Sequence, residues 1–275
     1  MAYIWDALMH AECWDISAKM VSLMPCEDEK EGLKEMNQYV ISLLEERNFQ
    51  VETITNSDAD YRPVITAFLD GGKDTTIGFF GHYDVENVEA EKWSTDPWQL
   101  TEVEGRWQAR GVADNIVPLV QRILLVPELS KYANLVFVLQ GEEEIGSPFA
   151  MEVYPHLQLP QIDLWFEETG YFYRNGNHRI MALNVNDKLE SVIEQLQKLN
   201  ASRGIETMLR IRPMNKAFGN QGCPCLVHLL NDVPYIAIGP NDDYSKIHGV
   251  DESINPDLLE KAANQIVKAV EVYSR

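Results

Sequence analysis

Basic residues are scarce in this sequence: 23 Lys and Arg stand against 43 Asp and Glu, a formal charge of -20. So acidic a chain is a poor partner for nucleic acid or an anionic membrane, both of which are held by basic patches. Bound divalent cations would offset part of that charge. Cysteine is scarce too. The four, Cys13, Cys26, Cys223 and Cys225, form no CxxC pair and no Cys/His cluster with zinc-site spacing. Long apolar runs are missing, and none approaches the ~18 residues that a membrane span needs. The opening MAYIWDALMHAECWD has no basic stretch followed by an apolar core and a small-residue cleavage site, so no signal peptide is expected. The expectation is a cytoplasmic protein with reduced thiols. No internal repeat, low-complexity tract or Gly/Ser linker interrupts the 275 residues, enough for one large α/β domain or two small ones.

The first fifty residues read as helical. In LKEMNQYVISLLEERNF the apolar positions Leu33, Met36, Val40, Leu43 and Leu44 recur at helical spacing. Short apolar or alternating runs follow at 50–55, 64–69 and 76–80, each a predicted strand. Residues 115–129 predict a helix with Pro118 tolerated in its first turn, and 134–139 a buried strand. Further strands are expected at 162–166, 179–185, 204–211 and 233–238. Residues 186–200 predict an amphipathic helix capped by Asn186, and 256–273 a terminal helix capped by Asn255. Strands alternating with helices predict an α/β fold, a three-layer sandwich whose mixed, mostly parallel sheet has helices on both faces. Ligands in such folds bind beyond the carboxyl ends of the strands.

That is where the chemically capable residues cluster. TTIGFF runs into GHYDV, with His82 and Asp84 two apart; a metal-ligating histidine commonly passes its second N–H to a carboxylate. Asp114 follows RGVA at the start of the predicted helix, where an ordinary helix cap is the competing reading. LVFVLQ runs into GEEEIGS. Adjacent glutamates at a strand end point in different directions, so one can bind a metal while its neighbour faces a water, the division of labour of a metal-activated nucleophile and its general base. IDLWF ends in Glu167 and Glu168, and IHGVDE places His248 before the last helix. Singly, each feature also reads as a solvated turn or a core histidine. Their joint order is the stronger sign.

The series GHYDV, DPW, GRW, RGVADN, GEEEIGS, FEET and IHGVDE resembles the M20 family of metallopeptidases, which includes carboxypeptidases, dipeptidases, aminoacylases and succinyl-diaminopimelate desuccinylase. The resemblance covers roughly residues 15–270. It implies a zinc-peptidase-like catalytic domain with two divalent metal ions, zinc first, manganese or cobalt also accommodated. His82 and Glu167 would bind one ion, Glu144 and His248 the other, and Asp114 would bridge them. Asp84 would orient His82, and Glu143 would be the general base in hydrolysis of an amide bond of a small N-acyl amino acid or peptide-like substrate.

The sequence also departs from the family. The inserted lid and dimerisation domain has no counterpart, since only about 179–211 is available in its place, so a single domain over 1–275 is expected. ADNIVP stands where the family has DDKG or DNKG, and GNQGCPC where it has a polar pair beside the substrate. Arg179, Arg210 and Arg212 are candidate replacement contacts to a substrate anion. His10, His156, His178 and His228 have no family context and read as surface or core histidines. An open cleft would admit a larger or carrier-attached substrate, and the chain is expected to be a monomer or a dimer through a face the family does not use. The competing functional readings are an inert M20 fold used for binding or regulation, and the same metal centre used for acyl transfer or amide formation.

Overall fold

A computed structural model describes residues 5–58, 60–211 and 225–275. Arg212, Cys223 and most of GNQGCPC lie outside them. Two helices open the chain, α1 (Ala7–Ser22) and α2 (Lys30–Glu45), the first capped by Asp6, whose side chain accepts from Met9 N. An antiparallel pair follows, β1 (Gln50–Ile54) and β2 (Val64–Leu69), then β3 (Thr76–His82). A small hairpin, β4 (Thr101–Val103) and β5 (Arg106–Gln108), precedes α3 (Val117–Leu129) and β6 (Asn134–Gln140). Next come α4 (Pro148–Val153), β7 (Leu164–Glu167), β8 (Tyr171–Phe172) and β9 (His178–Leu183). After α5 (Asp187–Ala201) and β10 (Thr207–Ile211) come α6 (Leu226–Leu230), β11 (Tyr235–Ala237), β12 (Asn241–Asp242), β13 (Ser253–Ile254) and α7 (Asp257–Tyr273).

The main sheet runs β1-β2-β6-β3-β7-β11-β9-β8-β12, with β10 added alongside β9. Its centre, β6-β3-β7-β11, is parallel, and β1, β2 and β9 pair antiparallel at the flanks. Strand alternation explains why helices cover both faces. Leu135, Phe137 and Leu139 of β6 join the core beneath α1, α2, α3, α5 and α7. Val136 and Val138 point the other way, into a second core with Phe80, Trp165 and Tyr235 under α4 and α6. Gly78 lets these layers close, because a Cβ there would lie 2.4 Å from the Trp165 ring. This is the expected three-layer α/β fold.

Some boundaries differ from the sequence reading. Helix α3 begins at Val117 and not at Asn115, because the backbone of Asp114 and Asn115 is not helical. Asn186 caps α5 through a bond from Leu189 N, as expected. Asn255 sits one residue before the cap position of α7 and accepts from Asp257 N at 3.0 Å. Among the described residues no helix is long and apolar enough to cross a membrane.

Candidate metal centre

Parallel register brings the ends of β3, β6 and β7 to one edge of the sheet. His82 pairs with Gln140, so the GEEE turn opens directly beside the histidine. The His82 side chain is buried. Its Nδ1 donates to the Asp84 carbonyl at 3.0 Å and lies 3.4 Å from Asp84 Oδ1, which leaves Nε2 facing Asp114 Oδ1 at 3.0 Å. Asp84 Oδ2 accepts from Glu144 N at 3.0 Å and so ties the two strand ends together.

Asp114 divides its carboxylate between two histidines. Oδ1 faces His82, and Oδ2 lies 3.3 Å from His248 Nε2, which is also 2.9 Å from Glu144 Oε2. The Asp114–Asn115 peptide is cis, and Asp114 does not cap the following helix. The segment is held by Glu252, which is fully buried and accepts from Gly111 N, Ala113 N and Asp114 N at 2.9–3.1 Å and from Arg110 Nη1 at 2.9 Å. Pairing of β13 with β5 anchors Glu252 in turn and carries the His248 loop over the sheet edge.

The three glutamates of GEEEIGS take three roles. Glu142 is buried and accepts from Phe149 N and Ala150 N, so it serves the backbone at the start of α4. Glu144 joins His248. Glu143 is half-buried, its carboxylate makes no hydrogen bond to a described residue, and it offers an oxygen within 4.8 Å of ligand atoms of His82 and Glu144.

At the FEET turn the geometry differs from the family-based expectation. His82 and Asp114 come together with Glu168: one ligand atom of each lies within 4.8 Å of the others. Glu167 is engaged elsewhere, accepting from Thr169 N, Thr169 Oγ1 and Tyr235 Oη at 2.6–2.9 Å. Alternation along β7 accounts for this. Glu167 shares the face of Trp165, toward Tyr235, whereas Glu168 takes the face of Phe166, toward α3, and meets Arg122 Nη1 at 2.8 Å.

Arg179 donates to the Thr169 carbonyl at 3.2 Å and lies over the Tyr171 ring. Arg210 is exposed on β10, 3.5 Å from Tyr173 Oη. Neither belongs to the cluster.

Electrostatics mark the centre as a place for cations. Burial pushes Glu144 up to about 7 and raises Glu143 and Glu168. Hydrogen bonds to Asp114 and Glu144 carry His248 up to about 10. Burial opposes the charge on His82, but its bonds to Asp114 and Asp84 outweigh that and raise it; the same histidine bonds outweigh burial at Asp114 and lower it. Glu144 Oε1 and Asp84 Oδ1 are buried without a hydrogen-bond partner. Imidazole and carboxylate donors of this kind fit zinc, manganese or cobalt.

A model of peptidase family M20/M25/M40 matches residues 78–272, which include every residue of this cluster. The chain belongs to that family. Beta-Ala-His dipeptidase of Mus musculus is 33% identical over 122 residues, 42% of this chain and 24% of the mouse protein. The Homo sapiens protein of the same name is 40% identical over 94 residues, 31% of this chain and 18% of that one. The matched part of the M20 chain thus spans a quarter or less of these curated relatives. Among solved structures, the di-peptidase Dug1p of Saccharomyces cerevisiae superposes with a TM-score of 0.70 at 14% identity, covering 97% of this chain and 96% of that one, a likeness of fold. Family membership carries use of divalent metal.

Glu252, Arg110 and Arg122 were not singled out from sequence, and Glu168 was named at the strand end without a ligand role. Arg122 left a trace: it is the one charge inside the apolar run VPLVQRILLV, and a charge on a buried helix needs a partner. Glu252 left none beyond its place in IHGVDE.

Proposed function

We propose that this M20 chain is a metal-dependent hydrolase that cleaves the amide bond of a small peptide-like or N-acyl amino acid substrate. The observation that carries the reading is the Asp114 carboxylate, which gives one oxygen to His82 and the other to His248 while Glu143 stands beside them without a partner. His82, Asp114 and Glu168 would hold one divalent ion, and Asp114, Glu144 and His248 a second. Zinc is the first choice. Bound cations supply the positive charge that acidifies a water and polarises the scissile carbonyl.

The chain's own residues do the rest. Glu143, raised by burial, takes the proton from the attacking water and delivers it to the leaving nitrogen. Asp84 holds the His82 ring with Nε2 inward, and Arg122 fixes Glu168. Glu252 fixes the backbone leading into Asp114 by accepting from Ala113 N and Asp114 N.

The chain is read as a single catalytic domain without the family's lid, acting in the cytoplasm on an uncrowded cleft, as a monomer or as a dimer through a new face. The test compares wild type and Glu143→Gln on dipeptides and N-acyl amino acids, with zinc or manganese supplied and metal content measured. Turnover is expected to fall about 10²–10⁴-fold with metal retained. Equal turnover in the variant, or no hydrolysis by metal-loaded wild type, overturns the reading.

A further inference from the structure

Glu86 lies just beyond GHYDV, and the family-based reading gave it no role. Its carboxylate has an oxygen within 4.8 Å of ligand atoms of Glu144 and His248, yet it makes no hydrogen bond or ion pair with a described residue. Glu144 points into the same place: its side chain is 4% exposed and its Oε1 has no partner. Between Glu86 and Glu144 runs a crevice of about 20 Å³, lined also by Glu27, Asp84, Asn87 and Ile145. Among the described residues no Lys, Arg or His lines it. The volume is that of one water-sized group.

We infer that this crevice receives the free α-ammonium group of the substrate and that Glu86 makes the chain select a peptide with an unblocked amino end over an N-acyl amino acid. The inference rests on the hydrolase reading above. Asp114, Glu143, Glu144 and Glu168 are the carboxylates that two divalent ions would balance. Glu86 is a further acidic group at the rim, half-buried, with no cation assigned to it. An α-nitrogen stands only about 2.5 Å from its own carbonyl carbon. A carbonyl held within reach of Glu143 therefore carries its α-nitrogen to the groups flanking Glu144 and His248. An ammonium fits the crevice in size and charge. An acylated nitrogen brings no positive charge to meet Glu86 and Glu144. A charged hydrogen bond of this kind is worth about 1.5–3 kcal/mol, roughly a 10–150-fold preference.

The test uses metal-loaded wild type and Glu86→Gln with one dipeptide and its N-acetylated form. The readouts are kcat/KM for both and metal bound per chain. Wild type is expected to favour the free dipeptide, and Glu86→Gln to lower the free-to-acetylated ratio of kcat/KM about 10–100-fold with metal content unchanged. Glu86→Asp is expected to restore part of the ratio. Parallel losses on both substrates, or loss of a metal ion in Glu86→Gln, would make Glu86 a structural or metal-binding residue and overturn the inference. Wild type that cleaves only the acetylated form also overturns it, with the hydrolase reading intact. Wild type that cleaves neither sinks both.

Discussion

Replacing Glu252 by Gln would disturb the metal centre without touching a proposed ligand. Oε2 of Glu252 accepts from Arg110 and Gly111 N, and Oε1 from Ala113 N and Asp114 N. A carboxamide keeps one oxygen. Whichever way it turns, two of the four bonds are lost and an NH₂ is set against two donors. Arg110, 4% exposed, also loses its carboxylate. Removing one member of a buried ion pair costs about 3–5 kcal/mol, and each stranded buried donor about 1–3 kcal/mol where the backbone does not relax. A loss of about 3–5 kcal/mol in urea unfolding of the metal-loaded protein is therefore expected. Because Asp114 N is one of the stranded donors, metal affinity should fall as well, about 10–100-fold, the usual effect of losing a group that orients a ligand. Arg110→Met in the same chain should recover part of the stability, since the pair is then replaced and not broken. A change below about 1 kcal/mol with unaltered metal affinity would refute the claim that Glu252 holds the Asp114 loop.

Glu168→Gln should lower bound metal by one ion per chain and cut turnover, while Glu167→Gln should leave metal content as it is and act on stability through Thr169 and Tyr235; elemental analysis of the two variants separates the roles. Gly239→Ala would place a Cβ 1.8 Å from the Glu168 carbonyl, so the backbone must shift, at about 1–3 kcal/mol or more, with weakened metal binding at the Glu168 side in a calorimetric titration. His178 is fully buried against Phe172, and burial pushes it down from the ordinary 6.5 to about 3. The unfolded chain thus binds the extra proton first, so stability is intact above about pH 6.5 and is lost as pH falls toward 3, by up to roughly 4 kcal/mol; His178→Leu should flatten that part of a stability–pH curve, and an unchanged slope would contradict the assignment.

The central strands were legible because β3 and β6 are continuous apolar runs bounded by turn residues, and their ends carry the chemical side chains. The helix rule placed α3 correctly but began it at 115, since local pattern does not register that Glu252, more than a hundred residues away, binds the amides of Ala113 and Asp114, where the backbone leaves helical values. Strands β8, β12 and β13 are two residues each, too short for any period to show. The exchange of Glu168 for Glu167 has the same origin: both carboxylates are visible at the strand end, but which one turns toward His82 depends on the strand's facing against α3, and Arg122 was the available clue. The role of Glu142 is not legible in GEEEIGS itself. The position of α4 decides it, because the amides of Phe149 and Ala150 meet its carboxylate.

The central claim is that Asp114 joins two cation sites. The measurement that tests it most directly is metal bound per chain, by elemental analysis after equilibration with zinc, in wild type, His248→Ala and Asp114→Ala. Two ions in wild type, one in His248→Ala and none or one weakly held in Asp114→Ala are expected. A wild-type chain that retains no ion, or an Asp114→Ala chain that keeps two, would contradict it.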